Sequence, residues 1–255
     1  MRKLLLLFPL AAGAVVARAF LRVRRPAVNS PAAVVAHGLA GSPRVVCLGA
    51  STVRGNVSFN FVDELAARLP DRQWINAGMN GDTSAQILAR LDDVVACRPD
   101  HVVVQVGAND VLKEVSLDTY EANLTAIVRR LRAETGAHVA LMSIQVVGDR
   151  PDAGVNRELD RVNAIIRRAA QEHDVAYLPL NERLRDMLRE HPGTGRDLPG
   201  SMMPVIRGIV LRLGLGVGLD RIGRLNGYAI HTDGLHLATP AGMVAAGLVE
   251  EFVLR

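Results

Sequence analysis

The sequence predicts an α/β fold, a three-layer α/β/α sandwich around a central, mostly parallel five-stranded sheet. Two observations lead to this prediction. From residue 44 onward, five short runs rich in β-branched residues alternate with helical stretches, and such units build parallel sheets that helices cover on both faces. The valine-rich run at 101–106 is typical of a strand that is buried on both faces.

The elements follow in order along one predicted domain, residues 43–255. Strands are predicted at 45–49, 73–77, 101–106, 138–144 and 175–180, and helices at 58–69, 83–97, 117–135, 156–173 and 239–254. Apolar residues recur at helical spacing in the second helix, and Pro240 suits the first turn of the last one. An unusually apolar insert spans 196–230.

The first 25 residues predict a signal peptide or a membrane anchor. Residues 4–20 are nearly all apolar and follow two basic residues, with a small-x-small cleavage site at 17–19. Arginines at 22, 24 and 25 favour a cytoplasmic location for the chain that follows the apolar run. An uncleaved anchor and a packed N-terminal helix are therefore alternatives to a signal peptide. We expect export or membrane association, with a cytoplasmic location as the alternative. Residues 26–42, rich in Pro, Ala, Ser and Gly, predict a linker.

Charge and cysteine content exclude several classes of protein. The net charge is +4, but residues 1–25 hold six basic residues and no acid, so the rest of the chain carries −2. We therefore expect no nucleic-acid partner. Two cysteines make no disulfide framework, and without a C-x-x-C motif or a His/Cys cluster we expect no metal and no cofactor.

Four segments carry side chains suited to acyl transfer. Ser51 lies in a turn just after the first predicted strand, although Val53 breaks the G-x-S-x-G pattern. Gly81 and Asn109 follow the second and third strands, where a backbone N–H and a side-chain amide can donate to an oxyanion. Asp233 lies three residues before His236, a spacing that lets the carboxylate accept from the imidazole. Taken singly, each segment also fits an ordinary turn or helix cap.

Together, the four segments resemble the SGNH, or GDSL, family of serine esterases and lipases. The resemblance rests on Gly49-Ala50-Ser51-Thr52, the run from Asn76 to Ser84, Gly107-Ala108-Asn109-Asp110, and Asp233-Gly234-Leu235-His236. It implies the flavodoxin-like fold of that family. It also implies that Ser51 is the nucleophile, His236 the general base and Asp233 its orienting carboxylate. Ser51 N–H, Gly81 N–H and the Asn109 side chain would form the oxyanion hole.

Two positions depart from the family pattern. Ala50 replaces the usual Asp of G-D-S, which removes a carboxylate beside the nucleophile, and Leu237 replaces the common Pro after the histidine. Because neither residue belongs to the implied triad, we expect activity to survive both changes.

The insert suggests how substrate binds. Residues 201–228 combine many apolar residues with four arginines, which fits either a lid or acyl-binding wall that contacts a membrane surface, or a helical hairpin packed on the body. The resulting expectation is a carboxylic-ester hydrolase that acts on a small acyl ester or a lipid. The alternatives are a deacetylase of a cell-envelope polysaccharide and a non-catalytic binding module on the same scaffold.

Overall fold

A five-stranded sheet forms the centre of the protein. The computed structural model describes residues 2–39, 41, 43–198 and 200–255; residues 1, 40, 42 and 199 and the side chains of 2–12 lie outside this description. All strands pair in parallel, in the order β2-β1-β3-β4-β5. They are β1 (Arg44–Gly49), β2 (Gln73–Gly78), β3 (His101–Gln105), β4 (His138–Met142) and β5 (Ala176–Leu178). The predicted fold class is confirmed, and these five strands are parallel throughout.

Helices cover both faces of this sheet. In chain order they are α1 (Arg2–Val23), α2 (Pro31–His37), α3 (Ser51–Arg54), α4 (Phe61–Arg68), α5 (Ser84–Ala89), α6 (Leu91–Ala96), α7 (Ala108–Leu112), α8 (Leu117–Thr135), α9 (Gly154–Glu172), α10 (Leu180–Glu190), α11 (Met203–Ile209), α12 (Leu219–Asn226) and α13 (Thr239–Val253). A π-helix, Val210–Gly214, continues α11. Helices α5, α6, α8 and α9 pack on one face, and α4, α10 and α13 pack on the other.

The core is divided between those two faces because successive side chains of a strand point in opposite directions. In β1, Val46 and Leu48 join the apolar cluster of α8 and α9, whereas Val45 and Cys47 join that of α4, α10 and α13. Burial raises the pKa of the Cys47 thiol to about 12, so this thiol stays neutral and acts as a small apolar side chain.

Several predicted elements end or break earlier than expected. Strand β4 stops at Met142 because the Ile144 backbone pairs with the Asn163 side chain instead, through N–H to Oδ1 (2.7 Å) and Nδ2–H to the Ile144 carbonyl (3.0 Å). Strand β5 stops at Leu178 because α10 begins two residues later. The helix predicted at 83–97 is two helices, α5 and α6, which meet at Arg90.

The segment predicted as a linker contains structure. Helix α2 lies within 26–42, and its Val34 side chain is buried in the apolar cluster that contains α8 and α9. Just before it, the Asn29 carbonyl accepts from Asn76 N–H (3.0 Å), and the Asn29 side chain donates to the Trp74 carbonyl (3.1 Å). These bonds cover the outer edge of β2, which would otherwise expose unpaired backbone groups.

The N-terminal helix packs against the apolar insert. Ala19 of α1 is fully buried, and the Arg22 side chain donates to the Leu213 carbonyl of the π-helix (3.0 Å). Among the residues that the structure describes, no helix is long and apolar enough to cross a bilayer. The signal peptide or anchor, the membrane contact and the location all stay predictions.

Candidate active site

Ser51 is the first residue of α3, which begins two residues after the end of β1 in a tight turn. A Cβ on Gly49 would lie 2.4 Å from a Val53 methyl and 2.6 Å from the Gln105 carbonyl oxygen, so only glycine fits before the turn. Gly55, with a φ of +71°, closes the turn and donates its N–H to the Ser51 carbonyl (3.1 Å). The turn leaves the Ser51 side chain half-buried at the carboxyl edge of the sheet.

The loop that carries Asp233 and His236 is held against the segment that follows α3. Phe59 N–H donates to the Leu237 carbonyl (2.9 Å), and Leu237 N–H donates to the Ser58 hydroxyl (3.0 Å). Leu237, which replaces the expected proline, therefore has an N–H that takes part in this attachment, and proline could not provide it.

Ser51, His236 and Asp233 form one hydrogen-bonded row. His236 Nε2 lies 3.0 Å from Ser51 Oγ, and His236 Nδ1 lies 2.7 Å from Asp233 Oδ2. Asp233 Oδ1 accepts from the backbone N–H groups of Leu235 (3.1 Å) and His236 (2.9 Å). When Nδ1–H donates to Asp233, the Nε2 lone pair faces the serine hydroxyl, which is the tautomer that a general base needs.

Asp233 is ionised in this row although it is almost fully buried. Burial by itself would raise the pKa of its carboxyl group. The charge and hydrogen bonds of His236, together with the Leu235 N–H, outweigh burial and hold the pKa of Asp233 below its ordinary value. A fixed negative charge beside Nδ1 stabilises the imidazolium that forms when His236 takes a proton.

The two predicted oxyanion segments meet the Ser51 turn at the same edge of the sheet. Because β1 lies between β2 and β3, the loops that follow these three strands are neighbours. Gly81 has a φ of +84° and a position where an added Cβ would have no atom within 4 Å, so its surroundings are open. The Asn109 side chain donates to the Asp82 carbonyl (2.9 Å). Since an amide has two N–H donors, the same group has a second one to offer to a ligand.

Asp82 and Arg90 join these loops to one another. Arg90 Nε donates to Asp82 Oδ2 (2.7 Å), and its Nη2 donates to the Gly49 carbonyl (3.0 Å). Lys113 donates to the Gly81 carbonyl (2.8 Å). The break in the helix predicted at 83–97 therefore occurs at a residue whose guanidinium ties β1 to the Gly81 loop.

A cavity of about 750 Å³ opens beside this row. Ser51, Gly81, Asn109 and His236 line one end of it. The remainder is mostly apolar, and much of it comes from three parts of the chain: the end of α1 with the residues that follow it, the Met79 loop, and residues 202–209 at α11. Its apolar members include Val23, Pro26, Ala27, Val57, Met79, Met202, Val205, Ile209 and Leu235. Ser51 thus lies at the wall of a pocket large enough for an acyl chain.

Comparisons with known proteins identify the family of this chain. The model of the GDSL-like lipase/acylhydrolase family matches residues 47–201, which include Ser51, Gly81 and Asn109. The chain belongs to this family. Asp233 and His236 lie beyond the matched residues, so their pairing rests on the distances above.

Curated relatives in this family are esterases. The chain is 25% identical over 126 residues to the acetylxylan esterase of Geobacillus stearothermophilus, covering 45% of this chain and 57% of that protein. It is 38% identical over 100 residues to esterase TesA of Pseudomonas aeruginosa, covering 39% of this chain and 49% of that protein. The chain therefore spans about half the length of the curated relatives it matches.

Solved structures share the fold. The acetylxylan esterase Axe2 of Geobacillus stearothermophilus superposes with a TM-score of 0.60 at 17% identity, over 84% of this chain and 94% of that one. The lipase/acylhydrolase of Enterococcus faecalis superposes with a TM-score of 0.59 at 20% identity, over 83% of this chain and 95% of that one. At such identities the likeness shows the GDSL fold alone.

A pair of hydrogen-bonded glutamines close to the Ser51 turn was not predicted from the sequence. Gln105 donates to Gln145 Oε1 (3.1 Å), and Gln145 donates to Thr52 Oγ1 (3.0 Å) and to the Leu235 carbonyl (3.2 Å). This chain of bonds joins the nucleophile turn to the His236 loop. The available signal was a glutamine near the end of the predicted strand 101–106 and another directly after the predicted strand 138–144.

Ala50 borders a small cavity near this glutamine pair. The cavity, of about 20 Å³, is lined by Ala50, Ser51, Gln105, Gln145 and other neighbours. Gln105 Oε1 is buried and accepts no hydrogen bond from the residues that the structure describes. The position that usually holds the aspartate of G-D-S therefore faces neutral amides here, and the triad row is formed without that carboxylate.

We expect the buried side chain of His231 to lower the free energy of unfolding in acid. Its imidazole is fully buried, with Nε2 2.8 Å from the Val146 carbonyl, and burial lowers the pKa of His231 to about 4. An unfolded histidine binds a proton near pH 6.5, so the unfolded state holds more protons between pH 6.5 and 4 and stability falls there. We expect His231 to lower the free energy of unfolding by about 3 kcal/mol between pH 7 and pH 4.

Urea unfolding of the wild type and His231→Gln at both pH values measures this effect. A glutamine amide can still donate to the Val146 carbonyl, but it does not titrate. The carboxyl groups titrate in both proteins, so the difference between the two pH-induced losses isolates His231. Equal losses in the two proteins would contradict the prediction.

Proposed function

We propose that this protein is a serine-dependent carboxylic-ester hydrolase that acts on acyl esters with an extended apolar chain, lipids among them. One observation carries the proposal: His236 Nε2 is 3.0 Å from Ser51 Oγ while its Nδ1 is 2.7 Å from Asp233, at the wall of a mostly apolar cavity. Membership of the GDSL family and the esterase relatives support the reaction class.

The proposed reaction has two stages. Ser51 Oγ attacks the ester carbonyl carbon as His236 Nε2 takes the hydroxyl proton. The Ser51 and Gly81 N–H groups and the Asn109 amide donate to the tetrahedral oxyanion. The C–O bond to the alcohol then breaks, and the alcohol leaves with the proton from His236. In the second stage water attacks the acyl-enzyme, His236 takes the water proton and returns it to Ser51, and the carboxylic acid is released.

Deacetylation of a polysaccharide is the second candidate function. The acetylxylan esterase of Geobacillus stearothermophilus is among the relatives, and its name favours a short acetyl group. The apolar side chains that line the cavity, Val23 and Ile209 among them, argue for a longer acyl chain, since an acetyl group would leave most of that surface without contact. A non-catalytic module would not need the tautomer-fixing row of Asp233, His236 and Ser51.

Two measurements on the full chain test the proposal. Hydrolysis of p-nitrophenyl acetate and octanoate, and release of acetate from acetylated xylan, compare the substrate classes. We expect kcat/KM to be highest for octanoate. A fluorophosphonate should attach once per chain, on the tryptic peptide 45–54 that contains Ser51, and denatured protein should not react. Turnover without that label would contradict the role of Ser51, and preference for acetylated xylan would support deacetylation instead.

A further inference from the structure

We propose that residues 15–26, the N-terminal wall, are a permanent side of the acyl pocket, and that their packing on the π-helix sets the acyl length that the enzyme accepts. The inference rests on the proposed function. It goes beyond it because it assigns a specificity-determining role to a segment whose composition predicts a signal peptide or an anchor.

Hydrogen bonds attach the N-terminal wall to the segment that follows Ser51 and to the loop that carries Gly81. The Val23 carbonyl accepts from the side chains of Asn56 (3.0 Å) and Asn80 (2.9 Å). Arg54, at the end of the nucleophile turn, donates to the carbonyls of Arg25 (2.8 Å) and Pro26 (3.1 Å). Asn80 directly precedes Gly81. The wall is therefore attached to the segments that carry the nucleophile and one oxyanion donor.

Close packing holds the other end of the N-terminal wall. A Cβ on Gly214 of the π-helix would lie 2.8 Å from Val15 Cγ1, 3.0 Å from the Val15 carbonyl oxygen and 3.6 Å from Ala19 Cβ. Only glycine allows the two helices to approach this closely, and Ala19 is fully buried in the contact. Removal of residues before Phe20 would delete both Val15 and Ala19, so this contact exists only while the segment is retained.

The N-terminal segment and α11, which continues into the π-helix, both line the pocket. Val23, Pro26 and Ala27 line it from the N-terminal side, and Val205 and Ile209 line it from α11, which runs directly into the π-helix. Displacing α1 from Gly214 therefore disturbs the apolar surface that both segments contribute to the cavity. An acetyl group needs only the atoms near Ser51, whereas a longer acyl chain contacts this surface.

A glycine pair gives a matched test. Gly214→Val places a side chain against Val15, whereas Gly13→Val adds the same side chain to α1 at a position with no atom within 4 Å. For Gly214→Val we expect kcat/KM for p-nitrophenyl octanoate to fall about tenfold and that for acetate to stay within about twofold. Gly13→Val should change neither. An equal loss on both esters, or no loss on either, would overturn the proposal.

A cross-link tests the packing without any assay of activity. The native thiols do not compete, because burial raises the pKa of Cys47 to about 12 and that of Cys97 to about 11. The double variant Val15→Cys with Gly214→Cys should form a disulfide on mild oxidation, and Gly13→Cys with Gly214→Cys should not. Mass spectrometry of the tryptic peptides reads the bond. Absence of the first disulfide would show that the wall is not docked on the π-helix.

A binding measurement separates this inference from the proposed function. If the wild type hydrolyses no ester, the proposed function fails, and a dansylated C11 fatty acid still reports on the pocket. Its Kd should rise about tenfold in Gly214→Val and stay unchanged in Gly13→Val. Equal Kd values in all three proteins would overturn the role of the N-terminal wall, whatever the outcome of the hydrolysis assays.

Discussion

Replacing Ser51 with alanine is expected to lower kcat for p-nitrophenyl esters by about 10⁵- to 10⁶-fold. The substitution removes the hydroxyl that lies 3.0 Å from His236 Nε2 and is proposed to attack the carbonyl. Residual turnover should come from the oxyanion donors acting on water, because the triad residues of serine hydrolases act as a unit. Steady-state kinetics with the ester panel measures the loss, and near-normal turnover by Ser51→Ala would refute the proposed mechanism.

Two controls show that the loss belongs to the hydroxyl group. Ser201→Ala removes the hydroxyl of an exposed serine that does not line the candidate pocket, and it should keep full activity. The dansylated fatty acid should bind Ser51→Ala with the Kd of the wild type, because the alanine leaves the pocket lining intact. Weaker binding would instead indicate that the turn had collapsed.

The layered fold could be predicted from the sequence because its signal is local. Each β-branched run, such as 101–106, precedes an amphipathic helix, and parallel strands then bring their carboxyl ends to one edge. The meeting of Ser51 with Gly81 and Asn109 follows from that rule once β1 lies between β2 and β3. The order of the strands depends on pairing between segments that are far apart in the chain, so no local sequence pattern indicates it.

His236 could be proposed from spacing, whereas its surroundings could not. The three-residue spacing from Asp233 is visible in the sequence. The glutamine pair Gln105 and Gln145 belongs to strand ends far apart in the chain, and their bond appears only when β3 and the loop after β4 are side by side.

The N-terminal segment shows where composition stops being informative. An apolar run of this length fits a signal peptide, an anchor or a packed helix, since all three need apolar residues. The structure adds a contact that composition does not show: the absence of a side chain at Gly214, far along the chain, lets Val15 and Ala19 approach closely. No pattern within residues 1–25 contains that information.

Asp233→Asn is expected to lower kcat by about 10⁴-fold while the protein stays folded. The reason lies in the backbone donors around the carboxylate. Asp233 Oδ1 accepts from the N–H groups of Leu235 and His236, while Oδ2 accepts from His236 Nδ1. The single oxygen of an asparagine must stay with the two backbone donors, because turning the amide around would set its N–H groups against them.

The asparagine NH₂ group then faces His236 Nδ1 and donates to it. Nδ1 must become the acceptor, so the imidazole proton moves to Nε2, and Nε2 can no longer accept the proton of Ser51.

Asp149→Asn is the matched control. Asp149 is also a buried carboxylate that accepts hydrogen bonds from backbone N–H groups, those of Thr194 and Ala229. Because Asp149 has no bond to His236, the kcat of Asp149→Asn should stay near that of the wild type. If Asp233→Asn kept kcat within about tenfold of the wild type, Asp233 would serve only to hold the loop. Fluorophosphonate labelling should slow in parallel with kcat, since both reactions need Nε2 to take the same proton.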